Sequence, residues 1–146
     1  MPIRSLPQAA TRLDLSVPPL VTMPAGGGEL VLVVRNSGPV AATGVELVAE
    51  LQGGELVVGR DRSWQSYAPG VRATLAVSEL GPGEGFEATL PLVRGRRIVV
   101  GAPAVRVLLS LAVRADNAPA VRREVTVDVP PGVAGAGRPT RGTVFS

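Results

Sequence analysis

The chain has 146 residues and a formal charge of +3, with no Cys, no His and, among its fifteen basic residues, no Lys. These absences exclude a disulfide framework, a Ser-His or thiol nucleophile, a zinc site of the usual ligands, a lysine Schiff base and a P-loop lysine. Aromatics are 3% of residues while Val alone occurs 24 times, so the core must be aliphatic and suited to pleated surfaces.

Residues 1–11 carry Pro2, Pro7 and small polar side chains without periodicity and read as an N-terminal arm. A first strand is expected over 12–17, closed by Pro18-Pro19. The turn at Pro24 to Gly28 leads into a strand over 29–36 whose two faces are both apolar as far as Arg35. Such a strand should be central and covered on both sides. The next strand, 44–51, alternates with Glu46 and Glu50 on the wet face. Gln52-Gly53-Gly54 then reads as a hairpin turn into a short strand over 55–58.

Residues 59–70 form the longest polar loop and hold the one Trp and the one Tyr. A strand over 72–79 ends at Leu80-Gly81-Pro82-Gly83, and 86–93 follows with Phe86, Ala88, Leu90 and Leu92 on one face. Pro91 cannot donate a ladder hydrogen bond, which predicts that this strand is an edge or ends there. A long alternating strand over 104–114 should bury Val105, Val107, Leu109, Leu111 and Val113. The turn Ala115 to Pro119 leads to a last strand, 121–129, with Val125, Val127 and Val129 inward. Gly-rich residues 132–146, with Arg138 and Arg141, make a C-terminal arm.

Seven or eight short strands at sandwich spacing, without an amphipathic helix, predict an all-β chain. The expected fold is an immunoglobulin-like antiparallel β-sandwich over 12–131 between the two arms, with no internal repeat. Val33, Leu47, Leu109 and Val127 are its expected core.

Two motifs carry a resemblance: Asn36-Ser37-Gly38-Pro39 with Ala42-Thr43-Gly44-Val45, and Leu80-Gly81-Pro82-Gly83-Glu84 with Leu90. Over roughly residues 13–129 the chain resembles the conserved-repeat Ig-like domain of bacterial surface proteins. It is also similar to the related cell-adhesion-related domain found in bacteria. The resemblance implies an extracellular or particle-surface scaffold without enzymatic activity. The residues also speak for themselves: Asn36 can close an Asx turn, Gly38 can take positive φ, Pro82 fixes its turn, and Glu84 can bond exposed backbone N–H groups.

No spacing of carboxylates matches a calcium loop, and Gly81 to Gly85 lacks the helix a phosphate cradle needs. No enzyme activity, cofactor or metal is expected. The Arg residues are scattered apart from Arg94, Arg96 and Arg97, so nucleic acid is not an expected partner. No apolar run approaches the roughly 18 residues of a membrane helix, and none near the N-terminus reaches signal-peptide length. If the chain is a full gene product, it is expected to be made and assembled inside a cell.

Candidate contacts with protein partners remain. Trp64 and Tyr67, beside Arg60 and Arg62, either plug an open end of the sandwich or anchor a partner. In the arms, Ile3, Val144 and Phe145 offer apolar anchors, and Arg138 and Arg141 offer charge for acidic partner groups. The expectation is a structural assembly module in a multi-chain particle, a bacteriophage capsid decoration protein at the virion surface bound to capsid or surface-layer subunits. The alternative is a cell-surface or secreted adhesion module of a bacterium.

Overall fold

The computed structural model describes residues 9–24, 26–53, 56–67, 71–94 and 104–131. The expected arm contacts at Ile3, Arg138, Arg141, Val144 and Phe145 lie outside them. Among the described residues ten strands follow in chain order: β1 Leu13–Ser16, β2 Leu20–Thr22, β3 Gly27–Asn36, β4 Ala42–Leu51, β5 Leu56–Val58, β6 Gln65–Tyr67, β7 Arg72–Leu80, β8 Gly85–Arg94, β9 Val105–Ala115 and β10 Ala118–Val129. They form a four-stranded sheet, β1-β3-β8-β5, and a six-stranded sheet, β2-β10-β9-β4-β7-β6. The fold is the expected immunoglobulin-like sandwich, with ten strands in place of seven or eight because β2 and β6 have only three residues each.

The alternation sets the interior. Val107, Leu109, Leu111 and Val113 of β9 face Leu30, Leu32, Leu90 and Leu92 of the opposite sheet within one aliphatic core. Leu47, Leu109 and Val127 are fully buried, as the period-2 pattern requires.

Val33 is not. It is only partly buried, and its neighbour on the same face, Val31, is 46% exposed. β3 is central in its sheet, between β1 and β8, but nothing among the described residues covers its outer face.

Among the connections that cross from one sheet to the other are Pro18-Pro19 and Gln52-Gly53, and the second departs from the sequence expectation. Pro18-Pro19 closes β1, as expected, but makes no hairpin with the next strand: it carries the chain from one sheet to the other. β1 pairs antiparallel with β3, while β2 runs parallel to β10. Backbone N–H groups on both sides bond across that switch, Thr126 N to Pro19 O at 2.8 Å and Met23 N to Asp128 O at 2.8 Å. The sandwich is therefore antiparallel except at this pair. Gln52-Gly53 likewise makes no hairpin: β4 lies in the six-stranded sheet and β5 pairs with β8 in the other. The turn signal was real, but the chain uses the turn to cross the sandwich.

Pro91 sits inside β8, which continues to Arg94. Its carbonyl accepts from Gly59 N at 2.9 Å, just past the last residue of β5. Its missing N–H thus points to the side where the neighbouring strand has stopped, a local edge. At the far side of the six-stranded sheet β6 covers only Arg72 to Thr74 of β7. Beyond it β7 is bulged, with Ser78 at φ 77° opposite Val45, which discourages pairing along that open edge.

Candidate functional site

One end of the sandwich is closed by two buried or half-buried asparagines. Asn36 is fully buried at the end of β3. Its Oδ1 accepts from Thr11 Oγ1 at 2.7 Å and from Gly38 N at 2.9 Å, the expected Asx turn. Its Nδ2 donates to Val40 O at 2.7 Å and Leu80 O at 2.8 Å. The Asn36 N–H donates to Glu84 O, and its carbonyl accepts from Gly83 N. Both sequence motifs therefore meet on one side chain. Every polar atom of Asn36 is satisfied, as burial demands.

Gly38 serves this clamp differently from the expectation. It does not adopt positive φ. Its role is close approach: a Cβ there would stand 2.1 Å from Thr11 Oγ1 and 2.5 Å from Arg12 N. Positive φ is needed instead at Gly44, φ 62°, where β4 bulges beneath the Asp116 carboxylate. Glu84 behaves as expected, its Oε1 accepting from Gly81 N at 2.5 Å.

Asn117, in the β9–β10 turn, is the second clamp. Its Nδ2 donates to Ala9 O and Ala41 O, both at 2.9 Å, and its Oδ1 accepts from Thr43 N at 3.1 Å. This end is a structural lock, with its polar groups turned on one another.

The polar segment 59–67 is more ordered than a plain loop. Asp61 accepts from Ser63 N at 2.7 Å through its side chain and from Trp64 N at 3.3 Å through its carbonyl, forming a turn that points Trp64 inward. Trp64 is 5% exposed, and its indole N–H donates to Thr89 O at 2.9 Å. The ring covers the stretch of β8 that β5 leaves bare, the plugging alternative of the sequence reading. Tyr67 lies on β6 opposite Arg72 and is 44% exposed, and Arg60 and Arg62 are exposed. The loop thus presents Tyr67, Arg60 and Arg62 to solvent and keeps Trp64 inside.

Two outer faces were not singled out from the sequence. On the six-stranded sheet a cleft of about 180 Å³ has Val48, Ser110 and Ala112 as its floor and Arg72, Arg122, Arg123 and Glu124 at its rim. Small side chains on adjacent strands leave the depression, and long ones around it raise the walls. Arg114 is held by Glu46, its Nε donating at 2.9 Å. Arg106 is held by Asp128 at 2.7 Å and 3.2 Å, a contact that keeps the Asp128 carboxyl below its ordinary value. Strand parity would have assembled these residues from the sequence, had the order of strands been known.

On the four-stranded sheet the outer face carries an apolar strip of Val31, Val33, Pro91, Val93 and Val57. Val31 is 46% and Val93 41% exposed. The register puts Glu87 beside Val33 and Glu29 beside Pro91, and Asp14 stands opposite Arg35. Glu29 and Glu87 have no ion-pair partner among the described residues. Arg35 is engaged, its Nη1 donating to Gly83 O at 3.0 Å. The sequence signal for this strip was the doubly apolar pattern of β3.

Among the described residues no three Asp or Glu side chains gather as a metal site. Nor, among those residues, is any helix long and apolar enough to cross a membrane.

No family model matches the chain, and no curated protein matches it. Solved structures do. The Escherichia coli chaperone DraB is 16% identical with a TM-score of 0.46, over 86% of this chain and 58% of that one. The CARDB domain of the PF1109 protein from Pyrococcus furiosus is 13% identical, TM-score 0.46, over 85% and 94%. Salmonella α2-macroglobulin is 16% identical, TM-score 0.52, over 84% of this chain and 7% of that one. The chain thus spans under two thirds of the chaperone and a small part of the macroglobulin. Likeness at this identity is likeness of fold, and the fold is an immunoglobulin-like β-sandwich.

Proposed function

We propose that the chain is a non-enzymatic assembly module that coats or cements a larger particle, a bacteriophage capsid decoration protein at the virion surface. The observation that supports this most is the open apolar strip on the four-stranded sheet, with Val31 and Val93 nearly half exposed beside carboxylates that have no ion pair among the described residues. Exposed apolar side chains grouped on one face, rimmed by charge, fit a protein contact better than a solvent-facing wall. Tyr67, Arg60 and Arg62 supply a second exposed contact region, and the arm residues Ile3, Arg138, Arg141, Val144 and Phe145 supply reach. The partners are capsid or surface-layer protein subunits; the proposal includes no cofactor, no nucleic acid and no membrane insertion.

The second reading is an adhesion or scaffold module at a bacterial cell surface. It is favoured by the meeting of both family-like motifs at Asn36. An antibody against the chain, applied to density-gradient fractions of a producing culture, separates the two. Banding with virions supports the first reading, and banding with cell envelope supports the second. Recovery as free monomer in every fraction would overturn both.

A further inference from the structure

We propose that the C-terminal arm, residues 132–146, docks on the outer face of the four-stranded sheet of a neighbouring copy, joining copies head to tail. The inference rests on the assembly reading above and names its partner as this chain itself.

The strip calls for an occupant that is apolar and basic. It is lined by Val31, Val33, Pro91, Val93 and Val57, with the free carboxylates of Glu29 and Glu87 on either side and Asp14 at its upper margin. An identical strip is a poor partner. Face-to-face stacking would set these carboxylates against their own copies, and like charges at close range are repelled. Three segments outside the described residues, 1–8, 95–103 and 132–146, are apolar and basic without Asp or Glu, and the last is the longest. Residues 132–146 hold Val133, Val144 and Phe145, the cations Arg138 and Arg141, and no Asp or Glu.

Dimensions agree. Glu29 lies opposite Pro91, four residues along β8 from Glu87, so the two carboxylates stand about 13 Å apart along the strand. Arg138 and Arg141 are three residues apart, about 10 Å in extended chain, and their long side chains cover the difference. Fifteen residues reach roughly 50 Å when extended, more than the length of the strip.

The exit of the chain favours a neighbour over its own domain. β10 belongs to the other sheet, and its last residues run out at the end of the sandwich opposite the Asn36 clamp. There Arg94, at the end of β8, donates through Nη2 to Pro130 O at 2.7 Å. Pro130-Pro131 keeps the backbone extended as it leaves β10. To lie on its own strip the arm would have to reverse at once and wrap across the thickness of the sandwich. A neighbour placed beyond that end receives it without a reversal.

Sedimentation of the full chain is the test, from below micromolar to tens of micromolar. Mass should rise with concentration and fall back as salt screens the charges. Deleting 132–146 should leave a folded monomer, and so should Val31→Glu with Val93→Glu. Mixed, the two monomers should form a one-to-one complex, because each retains one complementary half. Glu29→Arg with Glu87→Arg should weaken association about tenfold, and Arg138→Glu with Arg141→Glu should restore it. Circular dichroism checks that each variant is folded. A full chain that stays monomeric throughout, or an arm-less chain that associates as well as the intact one, overturns the proposal. A monomer that still bands with particles would sink this inference and leave the assembly reading standing.

Discussion

Replacing Asn36 by alanine should cost the fold about 3–5 kcal/mol. The side chain makes four hydrogen bonds, and its partners at Thr11 Oγ1 and Leu80 O are fully enclosed. Each enclosed partner left without a mate costs about 1–3 kcal/mol. The other two, Gly38 N and Val40 O, are partly open and can recruit water, so they add little. Against a typical total of about 5–15 kcal/mol this is a large fraction. With a urea slope of about 2 kcal/mol per molar, the unfolding midpoint should fall by about 2 M at unchanged slope. Asn36→Asp sharpens the test. The new oxygen would face the Val40 and Leu80 carbonyls where an amide once donated, which raises the carboxyl pKa. The penalty should then be greatest at neutral pH and shrink in acid, where the protonated carboxyl can donate to one carbonyl. A loss under about 1 kcal/mol for Asn36→Ala would show that this end rehydrates freely and is no lock.

Leu109→Ala should cost about 2–5 kcal/mol in the same assay, since Leu109 is fully buried in the middle of the core; a loss under 0.5 kcal/mol would refute the packing. Gly38→Ala should destabilise by about 1–3 kcal/mol despite an ordinary φ, because its methyl meets the Thr11 and Arg12 backbone; an unchanged midpoint would remove the close approach. Asp128 should titrate in NMR below the ordinary carboxylate value, and Arg106→Ala should move it back up. The contribution of that pair is complete above the ordinary carboxylate pKa and disappears as pH falls through the lowered one. A midpoint for Asp128 that ignores Arg106 would refute the contact.

The sequence was most legible where one physical rule acts alone. Period 2 placed Leu47, Leu109 and Val127 in the core because burial on one face of a strand needs nothing more than alternation. It failed at Val33, where apolar residues on both faces of β3 announce that something should cover each face. Pattern alone cannot say whether that cover belongs to the same chain. Turn residues were equally informative about local geometry and silent about destination. Gln52-Gly53 and Pro18-Pro19 do redirect the chain, but only the packing of two sheets decides that each redirection is a crossing. Gly38 shows the same limit, since a glycine required by a distant backbone looks, in sequence, like one required by its own φ. Of the candidate contacts, Tyr67, Arg60 and Arg62 emerged on the surface, and Trp64 was drawn inward by the bare carbonyl of Thr89. Arg72, Arg122 and the cleft they border depend on strand order, which no local pattern carries.

The pairing of β2 with β10 has a mechanical consequence. The chain enters the sandwich beside the Asn36 clamp and leaves β10 at the opposite end, and β2 and β10 run in the same direction. Tension applied between those two ends therefore slides β2 and β10 past each other along their length. The hydrogen bonds that join them, together with Thr126 N to Pro19 O and Met23 N to Asp128 O, are stretched side by side and share the load at once. Peeling would break them one after another; this arrangement makes them yield together.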